Sequence, residues 1–188
     1  KSWWYGYPEA VGTLRSFRQG AIQPFTERRL LAFIEWAKKK WPIDTNRVLV
    51  TGCRGGASGS GALHLALRHP DVFNLVIAGH PSVDYAAAAR ETSRYERWKA
   101  QSLRTCFGRP EWKLKSEGGR DFWDVHNMNK LLSAPPAAAE LPYVTMTSRH
   151  QDAAARKFYE LMLTRHSGLI AHFSWGGTRY VPVSNTGT

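Results

Sequence analysis

The segment with the side chains best suited to catalysis is a run of small residues between two regular patterns. Residues 52–61 read GCRGGASGSG and join the apolar run Val48–Thr51 to a helical pattern that starts at Ala62. Glycines permit a tight turn, and a serine exposed on such a turn can attack a carbonyl when a neighbouring base takes its proton. Ser58 is therefore the main candidate nucleophile and Ser60 the weaker one. The alternative is a flexible connection whose serines only cap the helix.

A carboxylate and two histidines later in the chain can complete a serine-based site. Asp152 follows the apolar run Tyr143–Thr147 and precedes a helical pattern. It can orient a histidine and stabilise its charged form, or it can cap the helix, and the two roles are compatible. His172 lies within the last apolar run, and His150 lies close to Asp152. Either histidine can serve as the general base, although a histidine within a strand is more often an ordinary core or edge residue.

The N-terminal segment WWYGYPEA, residues 3–10, is rich in aromatic side chains. Its glycine, Gly6, permits a close approach of the backbone to another group. The aromatic residues that can line an apolar pocket for an acyl group or a sugar are Trp3, Trp4, Tyr7 and Trp175. Alternatively, these rings cover a hydrophobic edge of the protein.

The elements that must position these residues alternate between helices and short apolar strands. Helical patterns occupy residues 26–41, 62–69, 85–103 and 153–166, and runs typical of buried strands occupy 48–51, 75–78, 143–147 and 169–173. This alternation predicts an α/β fold with a mostly parallel sheet covered by helices on both faces. Ligands bind such sheets at the carboxyl ends of the strands, where Ser58 and Asp152 are expected. We expect one domain over 1–188, with an insertion or lid-like region at 82–140, and a loop and polar tail after the last run.

Four phrases of the sequence carry a resemblance to a known family. RRLLAFIEWAKKKWPIDTNRVLVTGC and GALHLALRHPDVFNLVIAGHPSVD are similar to the elements on either side of the nucleophile in the α/β-hydrolase superfamily, in its esterase and prolyl-peptidase-like branch. LPYVTMTSRHQD resembles the strand and loop of that family's acid, and IAHFSWGGTRYVPV those of its histidine. The resemblance covers roughly residues 24–84 and 120–183. It implies a serine hydrolase of the carboxylic-ester type that acts on a small ester or acyl substrate. Asp152 lies where the family keeps its acid, Ser58 is the best surviving candidate for the nucleophile, and His172 or, alternatively, His150 is the candidate base.

The sequence departs from the motifs of that family at three places. The family's turn is Gly-x-Ser-x-Gly, but counting forward from Val48 puts Arg54 at the serine position, and counting back from Ala62 puts Gly56 there. The position expected for the histidine reads Thr178, which cannot act as a general base near neutral pH. Only a short segment precedes the first predicted strand, so we expect N-terminal strands of the family to be missing, because the chain is a piece of a longer protein or because the fold is reduced.

These departures support an alternative function. The chain can be a pseudo-hydrolase, which keeps the fold, has lost the chemistry and acts as a binding or assembly module. Missing strands leave an exposed sheet edge, and such an edge favours a protein partner.

Composition and charge limit the classes of protein and the kinds of partner that remain. The chain has 188 residues, of which 43% are apolar and 22% charged, as expected for a globular domain. The net charge is +11, but the basic residues are spread along the chain without a nucleic-acid motif, so nucleic acid is not an expected partner. No run of 18 apolar residues occurs, so we expect no membrane partner. No Cys/His spacing suits a metal, no cofactor is expected, and the cellular compartment stays open.

Overall fold

The computed structural model describes residues 2–53, 55–94, 96–134, 140–149, 152–165, 168–175 and 179–184. The chain divides into two compact units. The first unit comprises Lys1–Ile43 and Asp84–Asn127, and the second comprises Asp44–Val83 and Met128–Thr188. Much of the segment expected as an insertion, 82–140, therefore clusters with the N-terminal segment. The single domain over 1–188 stays a prediction.

The second unit contains a five-stranded sheet. Its strands are β3 (Leu49–Gly52), β4 (Leu75–Gly79), β6 (Tyr143–Arg149), β7 (Leu169–Trp175) and β8 (Arg179–Ser184), in the spatial order β3-β4-β6-β7-β8. The first four strands are parallel, and β8 is antiparallel to β7. The predicted α/β architecture with a mostly parallel sheet is confirmed. The strand β8 was not predicted, because its residues read as part of a loop and a polar tail.

Helices α2 (Gly55–Arg68) and α7 (Ala153–Thr164) pack against this sheet, and α6 (Met128–Ser133) packs against α7. Their apolar residues recur at helical spacing, which places them on one face. The buried core of the unit includes Leu63, Leu67, Val76, Val144, Phe158 and Met162. Strand β3 is one edge of the sheet, since no strand pairs with its other side among the described residues.

The first unit is built around aromatic side chains. It contains the short strands β1 (Tyr7–Pro8), β2 (Ala21–Gln23) and β5 (Lys115–Ser116), and the helices α1 (Phe25–Lys40), α3 (Tyr85–Arg90), α4 (Arg97–Phe107) and α5 (Phe122–Val125). The helix expected over 85–103 is divided, because the Glu91 carboxylate accepts hydrogen bonds from the backbone N–H groups of Thr92 and Ser93. Such local bonds compete with helix formation.

The segment WWYGYPEA forms part of this aromatic core. Trp3 is buried, contacts the Tyr85 ring edge-on at 5.2 Å and donates a hydrogen bond from its Nε1 to Ser102 Oγ. A Cβ at Gly6 would overlap the carbonyl oxygen of Gln23, so this glycine serves the packing of the unit itself. Trp3 therefore has a structural role as a core residue, and Tyr7 is exposed.

Candidate functional site

The connection between β3 and α2 is the first element of the candidate site. Strand β3 ends at Gly52 and α2 begins at Gly55, so the connection consists of Cys53 and Arg54. Of the two sequence counts, the forward count therefore falls on the connection and the backward count falls on Gly56, inside α2. Arg54 itself lies outside the described residues. The Cys53 thiol is exposed and lies 3.0 Å from Thr51 Oγ1.

Three glycines let α2 approach the carboxyl ends of β3 and β4. A Cβ at Gly52 would overlap the carbonyl oxygen of Ser58, and a Cβ at Gly59 would overlap that of Gly79. A Cβ at Gly79 would lie 2.6 Å from the carbonyl oxygen of Cys53. No side chain fits at these positions without a shift of the backbone. This glycine cradle, formed by Gly52, Gly59 and Gly79, is the tight strand-to-helix packing expected of the turn.

The two candidate nucleophiles have different surroundings. Ser60 is fully buried; its hydroxyl donates to the carbonyl of Gly56 and accepts a 2.7 Å hydrogen bond from the backbone N–H of Ser82. It thereby ties the start of α2 to the segment after β4. Ser58 is the fourth residue of α2 and is half-buried, and its hydroxyl has no hydrogen-bond partner among the described residues. Of the two serines, Ser58 is therefore the one whose hydroxyl makes no hydrogen bond to the described residues.

His64, one turn after Ser60 on α2, contacts the same residue, Ser82. Its Nε2 lies 2.8 Å from the carbonyl oxygen of Ser82. Burial lowers the pKa of His64 to about 3, although the hydrogen bond to Ser82 acts in the opposite direction. The ring is therefore neutral at pH 7, and its Nε2 must carry the proton that is donated to the carbonyl.

Asp152, the predicted acid, follows β6 and is the N-cap of α7. Its carboxylate accepts a 3.0 Å hydrogen bond from the backbone N–H of Ala155. The capping role that the sequence suggested is thus present. His150 lies outside the described residues.

His172, the predicted base, lies within β7, three residues before the end of the strand. Its backbone pairs with Thr147 of β6 on one side and with Pro182 of β8 on the other. Thr178, at the position where the resemblance expects the histidine, lies outside the described residues. The assignment of Ser58, Asp152 and His172 as a catalytic set stays a prediction.

One feature of this sheet edge had no clear signal in the sequence. His80 directly follows β4 and has a φ of 48°, a left-handed conformation that is unfavourable for a large side chain. Its backbone N–H donates to the carbonyl and to Oγ1 of Thr147, at 3.0 and 3.1 Å. These bonds hold the chain in this conformation at the carboxyl edge of the sheet. A Gly-His pair directly after an apolar run was the available hint.

The site shows no metal-binding arrangement in the described ranges. No group of three or more His, Cys, Asp and Glu side chains there could hold an ion. The chemistry available to the described residues is that of a hydroxyl, a thiol, a carboxylate and the neutral imidazole of His64.

Comparisons with known proteins agree with this architecture. No protein-family model and no curated protein matches the sequence. Among solved structures, acylaminoacyl peptidase from Pyrococcus horikoshii matches with a TM-score of 0.57 and 10% identity, over 82% of this chain and 23% of that one. Dipeptidyl peptidase 4 from Porphyromonas gingivalis matches with 0.54 and 13%, over 80% and 19%. A structure from work on two fungal esterases from Rhizomucor miehei matches with 0.52 and 12%, over 82% and 51%.

These matches define the class of fold. Peptidases and an esterase share the arrangement of strands and helices with this chain at a level of identity that reflects fold alone. The chain has the α/β-hydrolase fold, as the resemblance of its sequence to that superfamily implied. It spans about a fifth of the length of the two peptidases and about half of the esterase chain.

Proposed function

We propose that this chain is a catalytically inactive member of the ester-hydrolase type of α/β-hydrolase fold, which acts as a binding or assembly module. The observation that carries the proposal is the composition of the connection between β3 and α2. It consists of Cys53 and Arg54 and contains no serine, while Ser58 and Ser60 both belong to α2.

The position of a nucleophile relative to the helix matters for the chemistry. In the Gly-x-Ser-x-Gly turn the serine lies between strand and helix, so that its oxygen lies near the N–H groups that stabilise the developing oxyanion. Ser58 is the fourth residue of α2, about one turn into the helix and not on the connection. The two buried hydrogen bonds of the Ser60 hydroxyl favour a structural role over a nucleophilic one.

The sequence around the predicted base supports the same proposal. His172 lies within β7, whereas the resemblance expects the histidine in the loop after that strand, at a position that reads Thr178. Two of the three motif positions therefore lack the residue type that the chemistry needs, and two departures support inactivity more strongly than one.

Weak ester hydrolysis through Ser58, Asp152 and His172 is the second candidate. It is favoured by the half-buried hydroxyl of Ser58, which has no partner among the described residues, and by the position of Asp152 directly after β6. A small ester or acyl group is the substrate under this proposal.

Hydrolysis of p-nitrophenyl acetate and butyrate separates the two candidates. Wild type, Ser58→Ala and Ser60→Ala are compared. Ser93→Ala, which makes the same change at an exposed serine outside α2, is the control. The inactive form predicts the same background rate for all four proteins and no labelling by a fluorophosphonate probe. Turnover that is lost in Ser58→Ala and kept in Ser93→Ala would establish the second candidate and remove the first.

An assembly role needs a surface, and we propose the open edge of β3 for it. Leu49 on this strand has a side chain that is 53% exposed, and an unpaired strand offers backbone N–H and C=O groups to another strand. Sedimentation velocity of wild type and Leu49→Lys tests assembly between copies. A concentration-dependent dimer that Leu49→Lys weakens supports this edge; a monomer at all concentrations contradicts it.

A further inference from the structure

Helix α1 exposes an aromatic cluster that its own unit does not bury. Phe33, Trp36 and Trp41 are 60%, 49% and 49% exposed. Exposed apolar side chains that occur together, unlike scattered ones, mark interaction sites. We call these three residues the α1 aromatic cluster.

The rings of this cluster pack on one another. The Phe33 and Trp36 centroids lie 5.4 Å apart, and Trp41 meets Trp36 edge-on at 5.0 Å. Trp36 therefore packs against both of the other rings. Stacking of a base or a sugar needs an open ring face, whereas burial in an apolar medium needs only exposed apolar area. The arrangement favours the second kind of partner.

Cations flank the cluster along the same helix. Positions 29, 33, 36 and 40 share one face of α1 because they are spaced by four, three and four residues. Arg29, Lys39 and Lys40 are exposed and have no ion-pair partner among the described residues. Lys38 neutralises Glu35 through a 2.8 Å ion pair. The exposed face thus combines an apolar centre with uncompensated positive charge at both ends.

We infer that α1 is a peripheral docking surface for an anionic phospholipid membrane. Tryptophan rings are enriched at the headgroup level of membranes, and lysine and arginine are attracted to anionic lipids by about 1 kcal/mol each. The sequence argued against a membrane partner because it lacks a spanning run, and none of the described helices is long and apolar enough to cross a bilayer. Surface docking requires no spanning helix.

Cosedimentation with vesicles tests the docking surface. Wild type is mixed with vesicles of phosphatidylcholine containing about 30% phosphatidylserine, and with pure phosphatidylcholine, at about 0.1 M salt. We expect roughly tenfold or stronger partitioning into the anionic vesicles. The double variants Phe33→Ser/Trp36→Ser and Lys39→Glu/Lys40→Glu should each reduce this partitioning by roughly tenfold or more.

The matched control is Arg156→Glu/Lys157→Glu on α7. It makes the same change of charge at two adjacent exposed cations, on a helix with no large exposed apolar side chain among the described residues. It should stay within about twofold of wild type, since the cluster is intact. Circular dichroism checks that every variant is folded.

Three outcomes would overturn the inference. The first is wild type that stays in the supernatant with anionic vesicles. The second is an equal loss of binding in the α7 control, which would assign binding to net charge alone. The third is self-association that depends on Trp36 and persists without lipid, which would identify a second copy as the partner of the α1 aromatic cluster.

Discussion

Two strand-to-helix connections at the carboxyl edge of the sheet differ in the residues that they contain. The connection from β3 to α2 is tightly packed through Gly52, Gly59 and Gly79 and has no serine between strand and helix. The connection from β6 to α7 keeps an acidic residue, Asp152, which also caps the helix. In the first connection, the close approach of the two backbones is sufficient to explain the three glycines. In the second, a residue of catalytic type has a structural role sufficient to explain it.

The largest expected effect comes from filling the glycine cradle. In Gly59→Ala the new methyl group overlaps the backbone carbonyl of Gly79, so α2 must move away from the ends of β3 and β4. We expect a loss of about 3 kcal/mol or more in the free energy of unfolding, measured by chemical denaturation. The control Gly118→Ala has open space but a φ of 80°, and should cost about 1 kcal/mol. Equal losses of unfolding free energy in the two variants would contradict a special packing role of the glycine cradle.

The second effect is a dependence of stability on pH through His64. Its pKa is about 3 in the folded protein and 6.5 ordinarily, so the unfolded chain binds more protons between these values. The free energy of unfolding therefore falls as pH drops below about 6.5, by up to about 1.4 kcal/mol per pH unit. Denaturation curves between pH 7 and acid should show a shallower fall for His64→Gln, whose amide can still donate to Ser82. An unchanged slope would remove His64 as the cause.

Ser60 and Ser58 provide the next comparison. Ser60→Ala leaves the buried N–H of Ser82 without the acceptor it has in the wild type, which should cost about 1–3 kcal/mol of stability. Ser58→Ala, on the same helix, should change stability by no more than about 0.5 kcal/mol. Thermal unfolding of both variants measures the difference. A Ser58→Ala variant as unstable as Ser60→Ala would show that Ser58 also belongs to the framework.

Asp152 gives the smallest effect and separates its two roles. Asn caps helices as well as Asp does, so Asp152→Asn should retain stability, whereas Asp152→Ala should lose about 1 kcal/mol. Neither change should alter the background rate with p-nitrophenyl butyrate if the cap is the only role. A rate that falls in Asp152→Asn at unchanged stability would instead identify Asp152 as the orienting acid.

The fold could be predicted well from local patterns. The apolar runs at 75–78, 143–147 and 169–173 lie within strands, and the run at 48–51 does so from Leu49 onward, since short apolar runs are typical of the strands of a parallel sheet. Strand β8 was missed because it lies at the antiparallel edge, where pairing with β7 supplies the bonds and the sequence can alternate or remain polar. The division of residues 85–103 into α3 and α4 was also missed, since it depends on the hydrogen bonds of Glu91.

The candidate site could be predicted in part. The order of strands and helices predicted that Ser58, Ser60 and Asp152 lie at the carboxyl edge of a sheet. It could not predict which of the two serines is buried and hydrogen-bonded. The Ser60 hydroxyl accepts a hydrogen bond from the backbone N–H of Ser82, which is 22 residues away in the chain. Gly79, which completes the cradle, likewise lies on a different strand from Gly52.

The sequence by itself determined the order of elements, the parallel sheet and the absence of a serine at the forward-counted position of the family motif. These follow from residue types and their spacing, which act over a few neighbouring residues. The tertiary structure alone decided which small residues carry the packing, which serine is buried and bonded, and which face of α1 remains exposed. Burial and hydrogen bonding join residues that are distant in the chain, and no local pattern contains that information.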